Sequence, residues 1–233
     1  MIPLRAVSPR TSIPWVTRTM TVVLLAVFAA QLSNPRIGEA LIRVFGFVPA
    51  RLFNPSLFGY SILEAAITLV SSIFLHGGFV HLAGNLVYLW VFGGAVEERV
   101  GHTSFAFIYV AGGAAGSLMH AFLFPDSAIP SIGASGCIAA ILGAFLALYP
   151  SEPIVTLIPL IVSWILVEIP GLVLLPIWFA LQFANGVMAL ESARGTEEVA
   201  GVAWWAHIGG FAYGLVVGLI YRRRSSPPPT PDS

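Results

Sequence analysis

Long apolar runs divided by short polar clusters dominate this chain, with polar side chains inside the runs only at isolated positions. A helix needs about 20 mainly apolar residues to cross a bilayer. Six such spans are predicted: Trp15 to Ser33, Val80 to Val96, Ser104 to Phe124, Gly133 to Tyr149, Leu172 to Leu190 and Ala203 to Tyr221. The first is the weakest. Arg18 leaves only about fourteen residues up to Leu32 unless its guanidinium snorkels to the interface. A cleaved signal peptide, with Ala29 and Ala30 near the cut, is the alternative. The long polar leader and the character of the following segment speak against it.

Two segments fit neither loop nor span. Pro35 to Phe79 mixes apolar residues with Arg36, Arg43, Arg51, Pro49 and Pro55, and reads as a long interfacial loop with amphipathic turns. Ile154 to Pro170 is apolar but broken by Pro159 and Pro170, carries Glu168, and is expected to lie partly in the interface. Ser225 to Ser233 is proline-rich and is expected to be a disordered tail.

Composition strengthens this reading. Of the 233 residues, 57% are hydrophobic and 9% charged, against about 25% charged in soluble domains. The expected fold is all-α, a polytopic membrane protein of six helices with a long first external loop. It divides into a cytoplasmic N-terminal segment (1–14), a membrane domain (15–221) and a cytoplasmic tail (222–233). Net charge is zero and all eleven basic residues are arginine. No basic stripe exists, which speaks against a nucleic-acid partner. The single cysteine, Cys137, excludes an internal disulfide and reads as a small buried apolar residue.

Orientation follows from the arginines. Arg5 and Arg10 precede the first span, Arg18 lies in its first turn, and Arg222, Arg223 and Arg224 follow the last. The positive-inside rule places both ends in the cytoplasm, which requires an even number of spans. Three arginines in the first external loop are a mild violation, and long segments obey the rule less strictly. No targeting peptide is evident, so a bacterial plasma membrane is the expected location.

Within this frame three segments carry chemistry. In Ser131-Ile-Gly-Ala-Ser-Gly-Cys137, Ser135 sits between Gly133 and Gly136 at the mouth of a helix. Glycines let the backbone approach a substrate, and free N–H groups at a helix start can hold an oxyanion. Taken alone, the motif is more often helix packing. In Ala206-His-Ile-Gly-Gly-Phe-Ala-Tyr-Gly214, His207 is an ionisable residue inside a span, a functional candidate by default. Gly210, Gly214 and Gly218 lie near its face, and span four offers Ser135, Ala139, Gly143 and Ala147. Two such small-residue faces allow the close approach that a serine needs to reach an imidazole. Spans four and six run in the same direction, so Ser135 and His207 fall at similar depth. In His76-Gly-Gly-Phe-Val-His-Leu-Ala-Gly-Asn85, His81 and Asn85 are one turn apart and could donate to an oxyanion, or merely bond between helices. His76 is expected to brace the loop entering the helix.

Other chemistries lack their residues. No His-Glu-x-x-His occurs. Asp126 and Asp232 are the only aspartates, in a loop and the tail, which excludes an intramembrane aspartyl dyad and makes any serine chemistry a Ser-His dyad. His76, His81 and His207 lack a supporting carboxylate or cysteine pattern for a metal.

Together these segments resemble the rhomboid family of intramembrane serine proteases, over about His76 to Tyr221. The family's Gly-x-Ser-Gly reads here as Gly133-Ala134-Ser135-Gly136. Its Ala-His motif with following glycines is matched by Ala206, His207, Gly210 and Gly214, and its His-x-x-x-Asn by His81 and Asn85. Gly93-Gly-Ala-Val-Glu-Glu-Arg-Val-Gly101 matches the family's helix end, which makes Glu97 a structural residue near the cytoplasmic end. The resemblance implies hydrolysis of peptide bonds in or near transmembrane segments of membrane proteins, with Ser135 as nucleophile and His207 as base. The Ser135 N–H, His81 and Asn85 would form the oxyanion hole. It implies transmembrane substrates in a lipid bilayer and calls for no cofactor or metal. Two rivals are a non-catalytic rhomboid-like protein that binds membrane clients and a small transporter or channel. Two departures stand out. Ala139 occupies a position where some members stack an aromatic ring on the histidine, so another side chain must orient His207. The first loop also lacks the tryptophan of a Trp-Arg pair found in some members.

Overall fold

The computed structural model describes residues 1–6, 12–160, 163–193 and 203–224; the tail expected from Ser225 lies outside them. In chain order the elements are β1 (Ile2–Ala6), α1 (Trp15–Ser33), α2 (Pro35–Phe45), α3 (Pro49–Phe53) and α4 (Ile62–Ser71). Then come α5 (Phe79–Tyr88), continued through a π turn (Leu89–Gly93) into α6 (Gly94–Val100), followed by α7 (His102–Leu123) and α8 (Ser135–Leu148). β2 (Pro153–Pro159), β3 (Trp164–Pro170), α9 (Gly171–Ala193) and α10 (Trp204–Arg224) complete the chain.

Among the described residues five helices are long and apolar enough to cross a membrane: Trp15–Ser33, Phe79–Val100, His102–Leu123, Gly171–Glu191 and Trp204–Arg223. The expected fourth span, Gly133 to Tyr149, is shorter. Its helix α8 has 14 residues, about 21 Å at 1.5 Å per residue, against a hydrocarbon core of about 30 Å. It runs through the centre, with Ile141, Leu142 and Phe145 fully buried. The outer helices instead turn apolar side chains outward: Val80 is 89% exposed and Phe107 69%. Such faces suit lipid rather than water. The chain is an integral membrane protein.

The first apolar segment is built into the fold. Glu97, only 1% exposed, caps the start of α1. Its two oxygens accept from the Val16 and Thr17 N–H groups at 2.8 Å each and from the Thr17 hydroxyl at 2.7 Å. The carboxylate thereby satisfies orphan donors and faces the positive end of the helix dipole. At the far end of α1, Gln31 exchanges two bonds with the His76 backbone, 3.0 and 3.1 Å. Arg18 folds back over the Trp15 ring, 5.9 Å from its centroid, which draws the charge toward the helix start.

The two ambiguous segments are more ordered than expected. Pro35 to Phe79, expected as a long loop with amphipathic turns, folds those turns into three helices and two 3-10 turns. Asn34 caps α2 by accepting from the Arg36 N–H, with Pro35 in the first turn, and Ser61 and Glu64 form a capping box on α4. Ile154 to Pro170 is an antiparallel hairpin, paired from Pro153↔Pro170 to Pro159↔Trp164, and β1 adds to β2 as a third strand. The helical fold therefore carries one small sheet, and its isoleucine- and valine-rich strands explain why this stretch does not become helix.

The centre depends on glycine. A side chain at Gly210 would strike the Gly136 carbonyl, one at Gly214 the Ala140 carbonyl, and one at Gly143 the Phe211 carbonyl. The α8 and α10 backbones are in contact along their length. The α8 face is turned slightly from the expected Ser135, Ala139, Gly143, Ala147 stripe and runs Gly136, Ala140, Gly143, Ala144 and Ala147. A third helix joins them: Gly112 lies on Ala140, Gly113 on the Cys137 sulfur and Gly116 on the Ala206 carbonyl.

Replacing Gly214 by valine forces the α8 and α10 backbones apart. Thermal unfolding in detergent is expected to drop by several degrees or more, in line with about 1–3 kcal/mol for overpacking. Gly84→Ala, where nothing lies within 4 Å of the added carbon, should leave the transition unchanged or slightly raised.

Candidate active site

Because α8 is short, space remains above its first residue. A cavity of about 1670 Å³ fills it, walled by α5, α7, α9, α10 and the loop 124–134, with Ser135, His81, Asn85 and His207 all on its surface. The sequence motifs thus converge on one chamber.

The loop that delivers Ser135 is held from the segment between α1 and α5. Phe47 and Ser131 pair as a two-bond antiparallel bridge, 3.1 and 2.7 Å, and the Ala50 N–H donates to the Ser127 carbonyl at 3.0 Å. The Gly133 N–H donates to the Ser72 carbonyl at 3.0 Å. Gly133 then adopts φ +123 and Ala134 leads into the helix, so Ser135 is its first residue. A Cβ at Gly133 would sit 2.6 Å from His81 Cε1. Only glycine allows both that backbone angle and the imidazole packed against it.

Asn85 is 7% exposed and its amide nitrogen lies 3.0 Å from His76 Nε2. An amide nitrogen only donates, so this bond makes Nε2 the acceptor. His76 thus braces the entry to α5, through its backbone to Gln31 and through its ring to Asn85. The His76 and His81 rings meet edge-on, centroids 5.2 Å apart.

His207 is 8% exposed. Its Nδ1 lies 2.7 Å from Gln182 Oε1 on α9. Its Nε2 is buried with no hydrogen-bond partner, so Ser135 and His207 share the cavity without a bond between them. Catalytic hydrogen bonds are often long in unliganded sites. Trp178 lies beside the imidazole at 6.1 Å and Trp204 meets it edge-on at 6.0 Å. His120, also on the cavity wall, tilts against Phe124 at 5.1 Å. Gln182, Trp178, Trp204 and His120 were not singled out by the sequence reading. A glutamine inside the apolar run Leu172 to Leu190, one turn after a tryptophan, was the available signal. Glu97, Gly210 and Gly214 stand away from the cavity surface, in the supporting roles described above. Among the described residues no three His, Cys, Asp or Glu side chains are grouped to hold a metal ion.

Chemically, the chamber offers a hydroxyl at a helix start, an imidazole with one free nitrogen, and donors opposite. The sequence profile of the Rhomboid domain matches residues 64–224, well over half the chain, and the protein belongs to the rhomboid family, which includes serine proteases. Similar proteins include rhomboid protease GluP of Bacillus subtilis (strain 168), 47% identical over 78 residues, 34% of this chain and 15% of GluP. RHOMBOID-like protein 5 of Arabidopsis thaliana is 29% identical over 65% of this chain and 43% of its own length. Human Rhomboid-related protein 3 is 26% identical over 90% of this chain and 49% of its own. The chain spans less than half the length of each of these relatives.

Burial, with the neighbouring His81 charge second, pushes the His76 imidazole down to about 4. An unfolded histidine protonates near 6.5. Between these values the unfolded chain binds more protons, so stability falls as pH drops from about 6.5 toward 4. Unfolding midpoints measured across this range should fall on acidification, and His76→Asn should flatten the slope.

Proposed function

We propose that this protein is an intramembrane serine endopeptidase that cleaves peptide bonds in or near transmembrane segments of other membrane proteins. The observation that carries the reading is the buried His207 Nε2, unpartnered in a cavity that Ser135 also lines. As general base, Nε2 takes the Ser135 proton while Oγ attacks the scissile carbonyl, giving a tetrahedral oxyanion. The oxyanion is held by the Ser135 N–H at the start of α8, with His81 and Asn85 as side-chain donors, each good donor contributing about 3–4 kcal/mol. Asn85 keeps a second amide hydrogen for this after bonding His76. Collapse delivers the His207 proton to the leaving amine and leaves an acyl-enzyme, which water then hydrolyses by the same base. Gly133 and Gly136 let the substrate backbone come close.

The arginine distribution and the order of the spans support cytoplasmic termini, with the cavity opening toward the other side of the membrane. A bacterial plasma membrane is the proposed location. The membrane domain takes in 15–221 between the two cytoplasmic segments, and its partners are the lipid bilayer and transmembrane protein substrates.

Purified protein in liposomes should cleave members of a panel of single-span substrates and react with a fluorophosphonate probe. Ser135→Ala and His207→Ala should each lower cleavage by about six orders of magnitude while leaving the unfolding midpoint in place. Undiminished cleavage by Ser135→Ala would sink the assignment. Tight client binding by wild-type protein that neither cleaves nor labels would instead establish the non-catalytic rhomboid-like reading.

A further inference from the structure

We infer that Gln182 is the positioning residue of the Ser135–His207 pair, holding the imidazole in the tautomer whose free lone pair faces the cavity. This inference rests on the protease reading above. A glutamine oxygen accepts and cannot donate. With Oε1 2.7 Å from Nδ1, the imidazole proton must sit on Nδ1. Nε2 is then the basic nitrogen, and Nε2 is the atom buried without a partner. Without an acceptor behind Nδ1, the proton can move to Nε2, and that tautomer cannot act as base toward Ser135.

The setting makes the bond count. Both side chains are less than a tenth exposed, where water competes little and a broken hydrogen bond is costly. Trp178 is one turn before Gln182 on α9, so both reach His207 from the same helix face. Trp204 closes the ring from a second side. Ala139, where a stacked aromatic was absent, offers only a methyl group. Orientation of the base has therefore passed from α8 to α9.

The acceptor is also neutral. In the Ser-His-Asp arrangement a carboxylate behind the imidazole stabilises the imidazolium. Gln182 supplies a dipole instead. Among the described residues the other titratable side chains lining this cavity are His81 and Tyr88 from α5, His120 from α7 and Asp126 in the loop before α8, while Cys137 on α8 is buried against Gly113. A negative charge introduced at 182 should therefore be felt strongly.

The test uses the full chain in liposomes, with steady-state cleavage of one single-span substrate and fluorophosphonate labelling rates from pH 5 to 9. Gln182→Met keeps the length and removes the acceptor; kcat should fall about a hundredfold or more with KM within about twofold, following the penalty for a wrong tautomer. Gln182→Glu keeps the acceptor and adds charge. It should retain far more activity than Gln182→Met, with the acid limb of its profile moved to higher pH, because the carboxylate favours the imidazolium. A folded Gln182→Met protein with wild-type kcat would overturn the positioning role. Should Gln182→Met fail to fold, a Gln182→Glu profile superimposable on wild type would overturn it equally, and a displaced one would support it. These results apply when wild type is active and Ser135→Ala is not; full activity of Ser135→Ala removes the protease reading and this inference with it.

Discussion

Backbone contact between α8 and α10 is the constraint on which the rest depends. In a bilayer, apolar surface gains little by leaving lipid for another helix, so helices associate through dispersion and close approach. Gly210 and Gly214 place α10 on the carbonyls of Gly136 and Ala140. That contact makes α8 a fully buried central helix, and it sets the short reach between the start of α8 and the imidazole of His207. The glycines of α7 repeat the device on a second side, through Gly112, Gly113 and Gly116. Larger residues at these places would push α8 and α10 apart, and with them the proposed nucleophile and base.

Polar side chains do a second job at the edges of this core. A buried carboxylate is tolerated only where its lone pairs are filled. Glu97 accepts from α1 and also lies 2.6 Å from His102 Nδ1, so it joins the starts of α1 and α7. Gln31 and Asn85 hold His76 from two directions. These bonds pin α1 and α5 to the core alongside their few buried apolar residues, Leu24, Phe28 and Leu82. The same logic holds at the cavity, where Gln182 fills one nitrogen of His207 and leaves the other free.

The segment between α1 and α5 works as a brace. Its strand-like bridge at Phe47 and Ser131 and its Ser72 carbonyl grip the loop that precedes Ser135. A helix start aimed into an open cavity needs such support, since it has no lipid-facing surface to orient it. The small sheet at the far end ties β1 to the hairpin between α8 and α9.

Much of the fold was legible from hydropathy alone. The first span matched at Trp15 and Ser33, because the length of an apolar run is dictated by bilayer thickness. The four motif residues Ser135, His207, His81 and Asn85 could be brought to one depth by counting span directions. Other features were not legible, for physical reasons. The hairpin at Ile154 to Pro170 is as apolar as a span, and its strands form through pairing with each other and, for β2, with distant β1. Helix α8 stops short at Ser135 because the loop before it is bonded to Phe47, Ala50 and Ser72, which no local pattern announces. The acceptor for His207 stood in plain view as Gln182, a polar residue in an apolar run. Linear sequence could say that such a residue needs a partner; only the packing of α9 against α10 decided that the partner is the imidazole.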